Sequence, residues 1–231
     1  MSIAEKFEVI ADEVYEKGKK DFEDSLVNYI TDNGNRTYYL HTFRTSAFYE
    51  DNLIDFKGLC KPTTASYMFY NMNGTHVPLG IDFSNINVDD AEAITALFAY
   101  SSSILEIPDL NIPILKKLSA VYGWCQKLHT IHGKIRVDEN TSFSSTLFRE
   151  DYALENMEIE GKIGQNNFNV KDCKKLTKAS LLSILKALSL DITTTTTITF
   201  STEHQSIIET DTDCKPYWEA AKNAGWSFVY A

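Results

Sequence analysis

Histidine, paired cysteine, basic charge and long apolar runs are all scarce in this chain of 231 residues, and each shortage excludes something. No apolar run approaches the roughly 18 residues of a membrane-crossing helix, so no membrane insertion is expected. The formal net charge is -10. That speaks against a general affinity for nucleic acid or anionic membrane, since both are held by basic patches. The four cysteines, Cys60, Cys125, Cys173 and Cys214, stand far apart with no C-x-x-C pair. A zinc site needs closer ligand pairs. A disulfide framework is not expected at this length in a reducing compartment.

Histidines number five. His129 and His132 are three apart, which places them together on a helix but on opposite faces of a strand. No metal centre is expected from them. Ten glycines are spread through the chain, and none builds a phosphate-cradling loop. There is no G-x-S-x-G and no H-E-x-x-H. Catalytic residues, cofactor and metal are therefore all expected to be none. Asp89-Asp90 is the one adjacent aspartate pair, but sequence neighbours do not face each other on a helix or strand. It reads as a solvated helix start. Glu209, Asp211 and Asp213 alternate with threonine like part of a calcium loop. They lack the loop's glycine and its bidentate Glu, and read as a solvated turn. Asn35, Asn73 and Asn140 begin sequons, which matter only on a eukaryotic secretory route. Met1 to Lys6 shows no basic stretch leading into an apolar core, so no signal peptide is expected.

What is present points to a packed fold: 43% hydrophobic and 12% aromatic residues exclude a disordered chain. One phrase repeats three times. A Leu or Val followed by an aromatic is answered by a large apolar residue seven positions after the first member, and by another three further on. The copies are Leu97-Phe98…Ile104…Ile107, Val121-Tyr122…Leu128…Ile131 and Leu147-Phe148…Leu154…Met157. They are separated by 24 and 26 residues. A weaker copy begins at Met68-Phe69, with Val77, Leu79 and Ile81 out of phase behind it. A degraded one runs into Cys173 and Leu176. Ser101, Cys125, Asp151 and Cys173 share one slot.

Self-similarity at a fixed period predicts stacked repeats. The expected fold class is therefore an α/β repeat: a short leucine-rich-repeat solenoid with an N-terminal helix and an α/β C-terminal cap. Within each copy, apolar residues at i and i+2 face one way on a short strand, and the residues between them face solvent. The exposed ribbon then carries Glu106, Pro108 and Leu110, followed by Thr130, His132 and Lys134, and by Asn156, Glu158 and Glu160. Of these, Glu106, Thr130, His132, Asn156, Glu158 and Glu160 are the candidate binding face. The Asn of common leucine-rich repeats is missing, its positions being held by Ile112, Arg136 and Lys162.

Four segments follow. Residues 1–33 open with the capping box Ser2…Glu5 and the stripe Ile3, Phe7, Ile10, Val14, then Phe22, Leu26, Tyr29 and Ile30. They form a helical cap or an oligomerising stalk, with homo-oligomerisation through 2–30. Residues 34–62 are an aromatic-rich junction. Residues 63–176 are the repeat array, and 177–231 a capping region. Thr177 caps a helix through Leu188 with Leu181, Leu182, Leu185 and Leu188 on one face. The threonine run 193–197 leads into a strand ending at Phe200. A helix from Lys215 to Asn223 stops at Gly225, and Trp226 to Tyr230 alternates as a closing strand.

The phrase and its Cys slot resemble BspA-type leucine-rich repeats, common in Firmicutes. The opening Met1 to Lys6, Val14-Tyr15-Glu16-Lys17-Gly18-Lys19, Asn33-Gly34-Asn35-Arg36-Thr37-Tyr38, Pro62-Thr63 and Leu176 to Ile184 are similar to prophage-encoded repeat proteins found near tail genes. The resemblance implies a non-enzymatic component of a phage tail or baseplate, located in the virion or in the host cytoplasm. Its partner would be a protein or a host cell-surface component, not nucleic acid. Two other readings stand beside it: an intracellular inhibitor of a host defence protein, and a glycan-binding adhesin module, which exposed Tyr and Trp would favour.

Overall fold

The computed structural model describes residues 55–72, 74–77, 79–90 and 93–231. The expected helical segment 2–30 and most of the junction lie outside the described residues.

The apolar phrase explains the central layer. Its copies lie side by side, each bonded to the next through the backbone. Phe69 N–H donates to Leu97 O, Phe98 N–H to Val121 O and Tyr122 N–H to Leu147 O. The aromatic of each pair is buried and stacks on its counterpart in the next copy. Ring centroids are 5.2 Å apart for Phe69–Phe98, 6.1 Å for Phe98–Tyr122 and 5.3 Å for Tyr122–Phe148. Phe168 ends this column edge-on. Around it Leu97, Val121, Leu147, Ile104, Leu128 and Leu154 are all sealed from solvent. One such side chain fully buried stabilises by about 1.5–3 kcal/mol.

Every strand pairing among the described residues is parallel. β1 (Asp55–Cys60) pairs β2 (Leu79–Ile81). β3 (Glu106–Ile107), β5 (Thr130–Val137) and β7 (Asn156–Gly161) form one sheet in that order. β4 (Lys117–Leu118) pairs β6 (Ser142–Phe143). β8 (Phe168–Asn169), β9 (Thr196–Phe200) and β10 (Trp226–Tyr230) form a three-stranded sheet with β9 in the middle. Partners in the central sheet are 26 residues apart at Thr130↔Asn156 but 24 apart at Lys134↔Glu158. The shift is an even number of residues, so the faces of β5 are kept.

α1 (Lys178–Ala187) follows, its first turn capped by Thr177 Oγ1, which accepts from Ser180 N–H. Leu181, Ile184 and Leu185 are buried, as is Leu188 just beyond its end. Leu182, expected on that same face, is half-buried, packed against the edge of the core. α2 (Gln205–Thr210) and α3 (Lys215–Ala224) lie between β9 and β10, with Gly225 as a left-handed cap at φ 110°. Trp226 is buried on β10 and its indole N–H donates to Ser189 O at 2.8 Å.

Two expectations need correction. Asp89-Asp90 starts no helix. Asp89 sits in a turn, its N–H donating to Asn87 Oδ1 and its carboxylate meeting Lys116 Nζ at 2.7 Å. Leu110 is buried, not exposed. β3 is two residues long, so alternation ends at Ile107, and Leu110 O accepts from Phe83 N–H in the turn beneath.

Two of the three positions of the missing Asn are filled by long cations, the third by Ile112. Arg136 Nη1 donates to Ile112 O at 3.1 Å and Lys162 Nζ to Lys186 O at 2.8 Å, each bond spanning 24 residues. A second aromatic row runs along the surface. Tyr70 meets Tyr100 edge-on, Tyr100 stacks on Trp124 at 4.4 Å, and the Arg149 guanidinium covers Trp124. Tyr100 and Trp124 hold left-handed backbone at φ 65°, where the neighbouring copies place Asn71 and Glu150.

Candidate functional site

The outward side chains of β3, β5 and β7 line up in ranks, because parallel pairing sets equivalent residues opposite one another. Glu106 pairs Thr130, and Thr130 pairs Asn156. The strand pattern alternates cleanly on β5 and β7, with Ile131, Ile135, Val137, Met157 and Ile159 inward. Of the candidate face, Glu106, His132, Asn156, Glu158 and Glu160 are exposed and Thr130 half-buried. Lys134 belongs with them.

Charge on this face is paired across strands. His132 Nε2 lies 2.8 Å from Glu106 Oε2. Lys134 Nζ reaches Glu158 at 3.5 Å and Glu160 at 3.6 Å, and Arg136 Nε meets Glu160 at 3.2 Å. Asn156 Nδ2 donates to Thr130 Oγ1 at 3.3 Å. Such exposed pairs are each worth only about 0–1 kcal/mol. They set the pattern of the surface more than its stability. His129 stands in a separate pair, 3.8 Å from Glu155, so it and His132 do not converge.

α1 takes the place of a further strand beside β7. Ser180 Oγ accepts from Met157 N–H at 3.0 Å and Ser183 Oγ from Ile159 N–H at 2.9 Å. Ser180 Oγ also donates to Glu155 O at 2.9 Å. The edge that β7 would otherwise leave open is thereby closed by hydroxyls from a helix. Between this helix and the ranks of β5 and β7 runs an open groove of about 630 Å³. Thr130, His132, Asn156 and Glu158 form one side, while Ala179, Leu182, Ser183 and Lys186 form the other. Glu106 and Glu160 stand outside the lining of this groove.

The contributions of Ser180, Ser183, Leu182 and Lys186 are invisible to strand periodicity. Their spacing along α1 is the available signal: small and polar residues interrupt the apolar side at i and i+3. Asp211 and Asp213 hold Lys178 Nζ at 2.8 and 2.7 Å, which ties the start of α1 to the α2–α3 turn. Their side-chain hydrogen bonds keep the Lys178 ammonium charged well beyond the usual lysine range. Among the described residues, no three His, Cys, Asp or Glu side chains gather as a metal cage.

No family model, curated protein or solved structure matches the chain.

Proposed function

We propose that the chain is a leucine-rich-repeat-like solenoid, associated with a phage or prophage tail, that binds a protein or a host-surface component without catalysing a reaction. The reading rests on one observation above others. Outward residues 24–26 apart in sequence stand in ranks on β3, β5 and β7, and α1 bounds them along an open groove. A solenoid works as a surface of this kind. The binding partner contacts the ribbon of Glu106, Thr130, His132, Asn156, Glu158 and Glu160. Membership of a tail rests on the resemblance of the N-terminal and α1 segments to prophage repeat proteins.

Mass spectrometry of purified virions tests the location. The protein should be present at a fixed stoichiometry, and its absence overturns the tail reading. Co-purification with a host protein during infection would instead select the intracellular inhibitor. For the surface, Glu158→Lys with Glu160→Lys should change partner binding while leaving the unfolding midpoint nearly unmoved. Loss of folding would show that this face is not free.

A glycan-binding module is the second reading, favoured by the 44% exposure of Tyr100 and the 43% exposure of Tyr152. Sugars pack on the open faces of aromatic rings. The Tyr100 ring already faces Trp124, whose ring also lies beneath Arg149. That row presents edges, which ranks this reading below protein binding. Silence on a glycan array would remove it.

A further inference from the structure

We propose that Asp151 is built into the chain as a neutral carboxylic acid whose Oδ2 hydroxyl donates to the Tyr122 carbonyl, and that its deprotonation opens the joint between the second and third copies. Asp151 shares its slot with Ser101, Cys125 and Cys173. In the three other copies the slot side chain donates to the carbonyl of the aromatic residue one copy earlier. Ser101 Oγ donates to Phe69 O, Cys125 Sγ to Phe98 O at 3.2 Å, and Cys173 Sγ to Phe148 O at 3.9 Å. The same register makes Tyr122 O the acceptor for Asp151.

The slot asks for an acceptor as well. Ser101 Oγ accepts from Met72 N–H at 2.8 Å, and Asp151 Oδ1 from Cys125 N–H at 2.9 Å. The Ser101 amide lies against the Cys125 thiol in the same way. A hydroxyl and a thiol both donate and accept. A carboxylic acid does so as well, whereas a carboxylate only accepts. Asp151 is fully buried, and its Oδ2 has no partner when counted as an acceptor. Among the described residues no other donor is bonded to Tyr122 O. One proton on Oδ2 therefore satisfies both atoms.

The surroundings oppose ionisation. The ionisable groups acting on Asp151 are Asp172 and Glu150, both acidic, and burial is the largest influence, pushing its carboxyl well above the usual carboxylate range. The buried thiols of Cys125 and Cys173 face it from the copies on either side, and burial raises both of them as well. Tyr122, beside Cys125, is buried and held neutral for the same reason. No cation appears among these neighbours.

The sign follows from linkage. The unfolded carboxyl ionises near pH 4 while the folded one stays protonated. The folded state then binds the extra proton, so stability is full below about pH 4 and falls as pH rises toward the folded value. The loss is about tenfold in the folding constant per pH unit over that window.

The test is denaturant unfolding of the full chain from pH 5 to 9, with Asp151→Asn and Asp151→Cys beside the wild type. The amide of Asn supplies donor and acceptor without a titrating proton, and Cys is the slot's own alternative. The ratio of wild-type to Asp151→Asn folding constants should drop about tenfold per unit above pH 5. Parallel curves for the two proteins would overturn the proposal. Should Asp151→Asn fail to fold, carbon-13 carboxyl spectra of the wild type decide. One Asp carboxyl should keep its protonated shift at pH 7, and finding every Asp ionised would also overturn it.

Discussion

Gly161 closes β7 opposite Val137 with φ +104°, and a Cβ there would lie 1.9 Å from Val137 O. The obstacle is backbone in the next strand, which has nowhere to move. Gly225 has a similar φ of +110°, yet its Cβ would meet only the Ile192 side chain, Cδ1 at 3.5 Å and Cγ1 at 3.7 Å. Gly161→Ala should therefore cost about 2–4 kcal/mol, against about 1 kcal/mol for Gly225→Ala, where conformational strain acts alone. Chemical denaturation of the two variants checks the order, and equal losses would show that β5 gives way at Val137. Gly225 is legible in the sequence as a helix stop, whereas the role of Gly161 is not, because nothing in the apolar pattern says which residue meets a neighbouring carbonyl. The shared slot of Ser101, Cys125, Asp151 and Cys173 is legible as spacing. What each member donates to appears only with the backbone in place.

At the scale of elements, α1 is the least strand-like neighbour a sheet edge can have, and it holds β7 through two hydroxyls. Ser180→Ala removes the acceptor for Met157 N–H, and Ser183→Ala that for Ile159 N–H. An unpaired buried amide costs about 1–3 kcal/mol. Ser180 is 2% exposed and Ser183 half-buried, so Ser180→Ala should lie at the upper end and Ser183→Ala near 1 kcal/mol, where water replaces part of the loss. Faster amide exchange at Met157 and Ile159 is the specific readout. Unchanged exchange would mean that α1 is held by its apolar side alone. The sequence makes this helix readable through Thr177 and the Leu spacing. Leu182 packs against the core as well but is only half-buried, because it also lines the groove, which periodicity does not show. α2 goes unseen because it carries one buried residue, Ile208, too few to make a period. The register of the copies is readable because burial of the aromatic column leaves a fixed spacing, whereas the two-residue shift within β5 leaves none.

At the scale of the molecule, one continuous buried cluster among the described residues runs from Ala65 to Trp226. It joins the repeated copies to the C-terminal α/β region, so both should open together in a single transition. Cys125, Cys173 and Cys214 are buried free thiols that sample both parts. Pulsed thiol labelling with increasing denaturant should modify all three over the same range. Labelling of Cys214 at a lower concentration would mark the C-terminal region as a separate unit. The stacked surface pair Tyr100 and Trp124 adds a consequence of an optical kind. Two chromophores 4.4 Å apart and nearly parallel couple their electronic transitions, so this edge should contribute a paired signal to the ultraviolet circular dichroism. Docking of a partner there, or slippage of one copy against the next, would then be visible in polarised light without any attached label.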